Sequence, residues 1–111
     1  MRMTEQRTGQ TTILRPRGPI VGADAEHFAR QIAKTLQERP GPVILDAALV
    51  PYLDSQALEV LVDVTERLIR TGQALRICGA SDVVREVLDL TELASLFELF
   101  PDVPAALEGV Q

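Results

Sequence analysis

The chain has 111 residues, enough for one domain with a buried core and hardly for two. Apolar residues make up 46% and charged residues 24%, a globular balance that argues against disorder. A formal net charge of −5, one cysteine and one histidine argue against nucleic acid or anionic membranes as partners, and exclude an internal disulfide or a zinc-ligand cluster.

Residues 1–10 are polar and read as a flexible end or a first edge strand, and residues 11–111 as the domain proper. Thr11–Arg15 is β-branched and short; Pro16 should stop it from running on as a central strand. From Asp24 to Glu38, residues Ala25, Phe28, Ala29, Ile32, Ala33 and Leu36 recur on one face at 3.6 residues per turn. This predicts a helix with Asp24 as N-cap and His27, Gln31, Lys34 and Glu38 on its wet face, ended by Arg39–Pro40–Gly41–Pro42.

Val43–Asp46 has no alternation and reads as a strand buried on both faces. After a loop containing Pro51, Asp54–Ser55 opens a second helix reaching to about Thr71. Ala57, Leu61, Val64 and Leu68 form its apolar stripe, widened by Leu58, Val62 and Ile69; Asp63–Arg67 and Glu66–Arg70 are spaced as helix-supporting pairs. Ala74–Cys78 reads as a strand, Ser81 as the cap of a helix over Asp82–Leu90, Leu96–Phe100 as a last strand, and Val103–Glu108 as a short helix beginning near Asp102. Strands alternating with helices imply an α/β domain with a largely parallel sheet.

Enzyme chemistry is poorly represented. No Gly-rich phosphate loop occurs. His27 sits on a polar helix face, and Cys78 ends an apolar strand, which suits a buried thiol. Asp46 and Asp54 could be paired carboxylates, or simply a strand-end acid and a helix cap. Ser55 is more informative. It stands at a helix start, where backbone N–H groups lack partners and the dipole favours negative charge. A phosphoryl group there would add nearly two negative charges beside Asp54. The alternative is that Asp54 and Ser55 only cap a helix.

Val43–Asp46, the apolar loop Val50–Pro51–Tyr52–Leu53 and Asp54–Ser55–Gln56–Ala57–Leu58 together resemble the STAS domain, the fold of bacterial anti-sigma factor antagonists. That family has an apolar strand ending in Asp, an apolar loop, then Asp-Ser-Ser-Gly-Leu opening a helix. Leu75–Gly79 with Val84, Val87 and Leu88, and Arg15–Ile20 upstream, extend the resemblance over nearly the whole chain. It implies a single domain with a mixed, mostly parallel sheet of four or five strands and helices mainly on one side. It also implies Ser55 as the phosphorylated serine, flanked by Asp46, Asp54 and Gln56, with Val21, Asp24 and Glu59 on the partner face. The implied partners are an anti-sigma factor that is also a serine kinase, and a phosphatase that restores the unmodified state.

Four positions depart from the family pattern. Gln56 and Ala57 replace Ser-Gly, Val21 stands where an acid is usual, and Glu92 where a glycine is usual. The expected protein is a cytoplasmic binding module, not an enzyme, with no cofactor or metal, no membrane insertion, and a monomeric or weakly dimeric state. Other roles for the same fold are the soluble subunit of a lipid-trafficking ABC transporter and a structural subunit of a sensory complex. A small hydrolase using Asp46 or Asp54 would lack a nearby His or metal cluster.

Overall fold

The computed structural model describes residues 2–109. Five strands, β1 (Arg2–Thr8), β2 (Thr11–Arg17), β3 (Val43–Asp46), β4 (Leu75–Cys78) and β5 (Glu98–Phe100), form one sheet in sequential order. β1 and β2 are an antiparallel hairpin, and all later neighbours are parallel. The parallel crossovers are made by α1 (Ala23–Glu38), α2 (Ser55–Arg70) and α3 (Asp82–Leu90), and α4 (Val103–Glu108) closes the chain.

Strand alternation divides the core in two. Leu14, Val43, Leu45, Leu75 and Ile77 point to the face covered by α1, α2 and α3, where Phe28, Ile32, Leu61 and Leu88 meet them. Ile13, Ile44 and Cys78 point to the other face, covered only by the short α4 through Ala106, Val103 and Leu107. The helices are therefore mainly on one side. β1 is tied to this body by Glu5, which accepts from the Thr35 hydroxyl at 2.7 Å and from Arg39 at 2.8 Å.

As expected, β2 does not run past Pro16 as a central strand, although on the β1 side it extends to Arg17, two residues beyond the expected Arg15. Its pairing with β3 covers only Thr12–Leu14, so Pro16 has a single neighbour, Met3 of β1. Counting from the Thr8–Thr11 closing pair, Met3–Pro16 falls on a non-hydrogen-bonded rung, which asks no N–H of proline. The predicted last strand is shorter than expected. Ala94–Leu96 form a 3₁₀ turn that drops Phe97 into the core, and only Glu98–Phe100 pair with β4. Ile69 does not widen the buried stripe of α2 but is 57% exposed, one residue before the helix end at Arg70. Among the described residues the ion pairs are Arg15–Asp46, Arg39–Glu5 and Arg76–Glu98, so those expected along α2 do not close.

Candidate functional site at the start of the second helix

β3 is buried at all four positions and delivers the chain to the C-terminal edge of the sheet. There Asp46, 4% exposed, accepts from Arg15 Nε at 2.7 Å and from its own loop, the Ala48 N–H, at 3.0 Å. An Asx turn thus starts the 47–53 loop. Ala47 N–H donates to the Cys78 carbonyl at 2.8 Å, and Val50 N–H to the Ala47 carbonyl at 3.0 Å. Gly79, at φ +67°, lies against Ala48; a Cβ there would come within 3.1 Å of the Ala48 methyl. On its other flank the loop is stitched to the segment before α1. Gly18 N–H donates to the Leu49 carbonyl, Ile20 N–H to the Tyr52 carbonyl, and Asp54 N–H to the Ile20 carbonyl, at 2.9–3.2 Å.

Asp54 is where the two helix starts meet. Its Oδ1 accepts from Ala57 N–H at 2.9 Å, capping α2, and its Oδ2 accepts from Gly22 N–H at 2.7 Å, at the start of α1. These N–H groups, Gly22 first and Ala57 second, hold the Asp54 carboxyl below its ordinary value of 3.8. The expectation that Asp24 caps α1 is corrected: the N-cap is Gly22, and Asp24 is the second helical residue. Gly22 takes φ +55°, ψ −124°, a conformation closed to a side-chain-bearing residue at low cost, so the turn into α1 depends on glycine. The N–H of Gly22 itself is satisfied across the fold by the Asp54 carboxylate.

Ser55 is the first residue of α2 and is exposed, as is Gln56. Because Asp54 does the capping, the Ser55 hydroxyl makes no hydrogen bond among the described residues. Ala57, where the family has glycine, is fully buried and Leu58 nearly so, which restricts position 57 to a small side chain. Val21 and Asp24 are half-buried near the α1 start, and Glu59 is exposed one turn beyond Ser55. Asp46 and Asp54 are each hydrogen-bonded to other partners, Asp46 to Arg15 and Ala48, Asp54 to Gly22 and Ala57. His27 is exposed and Cys78 is fully buried. Burial, then the Asp46 carboxylate, pushes the Cys78 thiol up to about 11, away from reactivity. Among the described residues no group of three His, Cys, Asp or Glu side chains could hold a metal.

Three features were not anticipated. Arg15 and Gly22 each bind an acid that the sequence had singled out. Leu49 and Tyr52 are 47% and 46% exposed in the loop that leads to the serine, while Val50 and Leu53 of the same loop are buried. The apolar character of that loop was visible, but not which of its residues turn outward.

The STAS domain family model matches residues 2–106, and the chain belongs to that family. It is 26% identical over 97 residues to BtrV of Bordetella bronchiseptica, a candidate anti-sigma factor antagonist, covering 87% of this chain and 84% of that one. A candidate anti-anti-sigma factor of Mycobacterium tuberculosis is 26% identical over 110 residues, covering 96% of this chain and 74% of that protein. The fold superposes on a crystal structure of an anti-sigma factor antagonist from Mycobacterium paratuberculosis with a TM-score of 0.89. The two are 21% identical, and the match covers 98% of this chain and 92% of that one. No described helix is long and apolar enough to cross a membrane.

Proposed function

We propose that the chain is a phosphorylation-switched protein-binding module. Unmodified, it binds an anti-sigma factor that is also a serine kinase and so frees a sigma factor; phosphorylation of Ser55 breaks the complex and a phosphatase restores it. The observation that carries this reading is the placement of Ser55. It is exposed at the α2 start, and Asp54 rather than the serine caps the helix. Two relatives described as candidate antagonists of this kind support the partner class. Leu49 and Tyr52 supply exposed apolar surface in the loop that leads to the serine, where a partner would bury them.

The energetics of the switch are simple. A phosphoryl group adds nearly two negative charges next to Asp54, one turn from Glu59, on a chain already at −5. The helix dipole offsets only about 0.3–1 kcal/mol of this in the free protein. A charge left unpaired in an interface costs about 2–5 kcal/mol, roughly a thirty-fold to several-thousand-fold loss of affinity. The domain stays folded and the complex dissociates.

The test is a pull-down that identifies the bound chain, followed by calorimetric titration of that chain against unmodified and Ser55-phosphorylated protein. Ser55→Ala should bind constitutively and lose no more than about 1 kcal/mol of stability; Ser55→Asp should weaken binding in part. Equal affinities for the two forms remove the switch and favour a constitutive subunit.

A further inference from the structure

We propose that the free edge of β1 pairs antiparallel with β1 of a second copy of this chain, joining the two sheets across a two-fold axis at Gln6. The sheet has two edges. β5 is three residues long, whereas β1 is seven and pairs with β2 over its whole length without a bulge. A long regular edge is a template for another strand unless proline, bulges or charges blunt it. β1 contains no proline, so its charges alone decide what the edge accepts.

The hairpin fixes which groups point off the sheet. Counting from the Thr8–Thr11 closing pair, the rungs through Gln6, Thr4 and Arg2 are hydrogen-bonded to β2, and those through Arg7, Glu5 and Met3 are not. Thr12 agrees with this count: its N–H donates to the Pro42 carbonyl, away from β1, which leaves the Arg7–Thr12 rung open. The backbone N–H and C=O groups of Met3, Glu5 and Arg7 therefore face outward. Their side chains lie on the helix-covered face. Met3 packs against the main core, Glu5 accepts from Thr35 and Arg39, and Arg7 Nη1 donates to the Thr12 hydroxyl at 2.9 Å.

Charge then selects the occupant and the register. A two-fold axis at Glu5 or at Arg7 sets like charges directly opposite one another, which is destabilising. An axis at Thr4 pairs Glu5 with Met3 and carries Arg7 past the end of β1. An axis at Gln6 sets Glu5 against Arg7 of the copy and Arg7 against its Glu5. Each of these rungs exchanges both backbone hydrogen bonds and carries an opposite-charge pair. Arg7 has no ion-pair partner among the described residues, so its charge is available to the copy. Between the two rungs Gln6 meets Gln6, and beyond them Thr4 meets Thr8. The charges that repel an arbitrary strand thus admit this one. A contact confined to one strand edge is small, so the dimer is weak and reversible. It involves β1 and not Ser55 on α2.

The test uses the full chain. On the axis, Gln6→Cys places the two thiols on a non-hydrogen-bonded rung with Cα atoms about 4.5 Å apart, within reach of a disulfide. Mild oxidation should give covalent dimers. Thr4→Cys should not, because its counterpart is displaced by about 13 Å along the strand. Cys78 is buried and does not compete. In sedimentation equilibrium the parent should self-associate, and Arg7→Glu and Glu5→Arg should each do so at least about tenfold more weakly. Mixing these two variants should restore association, since each mixed rung then carries opposite charges. Arg7→Glu leaves the bonds of Glu5 to Thr35 and Arg39 in place, which keeps the test valid if Glu5→Arg unfolds. Amide exchange at Glu5 and Arg7 should slow with rising protein concentration while that at Gln6 stays constant. A parent chain that remains monomeric at its highest soluble concentration leaves the edge to a different chain and overturns the proposal. So does association indifferent to Arg7→Glu, or equal cross-linking of the two cysteine variants.

Discussion

Asp46 should be the residue on which the geometry of the 47–53 loop depends, and two substitutions separate its contributions. Asp46→Ala removes the acceptor of the Ala48 N–H and the counter-charge of Arg15 together. The Asp46 side chain is 6% exposed and that of Arg15 42%, so the arginine regains water and the lost ion pair is worth about 1 kcal/mol. The stranded Ala48 N–H adds about 1–2 kcal/mol, giving about 2–3 kcal/mol in all. Asp46→Asn keeps an acceptor for Ala48 and loses only the charge, at about 1 kcal/mol. With an unfolding entropy near 2.1 cal/mol/K per residue, each kcal/mol moves the Tm of this chain by about 4 °C. Thermal unfolding by circular dichroism should therefore fall by about 10 °C for Ala and about 4 °C for Asn. Hydrogen exchange at the Ala48 amide should accelerate only in the Ala variant. Equal losses for the two substitutions, or an Ala variant within about 2 °C of the parent, would refute the account of the loop.

Glu92 sits at φ +60°, the one positive-φ residue other than glycine among the described residues, just past the end of α3. Leu93 N–H donates to the Leu88 carbonyl there, which is the Schellman closure that favours glycine. Glu92→Gly should raise stability by about 0.5–1 kcal/mol in denaturant titration, since relief of left-handed strain outweighs the added chain entropy; a loss would contradict it. Asp54 has a folded-state pKa below its ordinary 3.8, so its contribution is full above that pH and is lost as pH falls through the lower folded value. The stability gap between the parent and Asp54→Asn should thus be constant near pH 6 and narrow below pH ~3.8, and a gap that widens on acidification would reverse the sign. Cys78, buried and held up to about 11, should resist alkylation by iodoacetamide at pH ~8 until the chain is unfolded; rapid modification of the native protein would place the thiol elsewhere.

Much of this domain is local in origin. The 3.6-residue stripe from Ala25 to Leu36, the apolar run Val43–Asp46, and the caps at Asp54, Ser81 and Asp102 are written in neighbouring residues. They could be read because periodicity and capping act within a few residues of chain. Glu92 stood out in the sequence only as a departure from the glycine usual in the family; the structure supplies the reason, a left-handed backbone at the end of α3.

What the sequence determined by itself, then, is the order of elements, the family resemblance and a serine at a helix start. What only the tertiary structure decided is everything held by long-range hydrogen bonds and by the limits of strand pairing. Pro16 is tolerated because β3 stops pairing at Leu14. The N–H of Gly22, the α1 N-cap, is held by Asp54, 32 residues away, and the 47–53 loop is anchored by Arg15, 31 residues before Asp46. Local pattern specifies which face each residue turns, but which two faces meet is set by the packing of the whole chain.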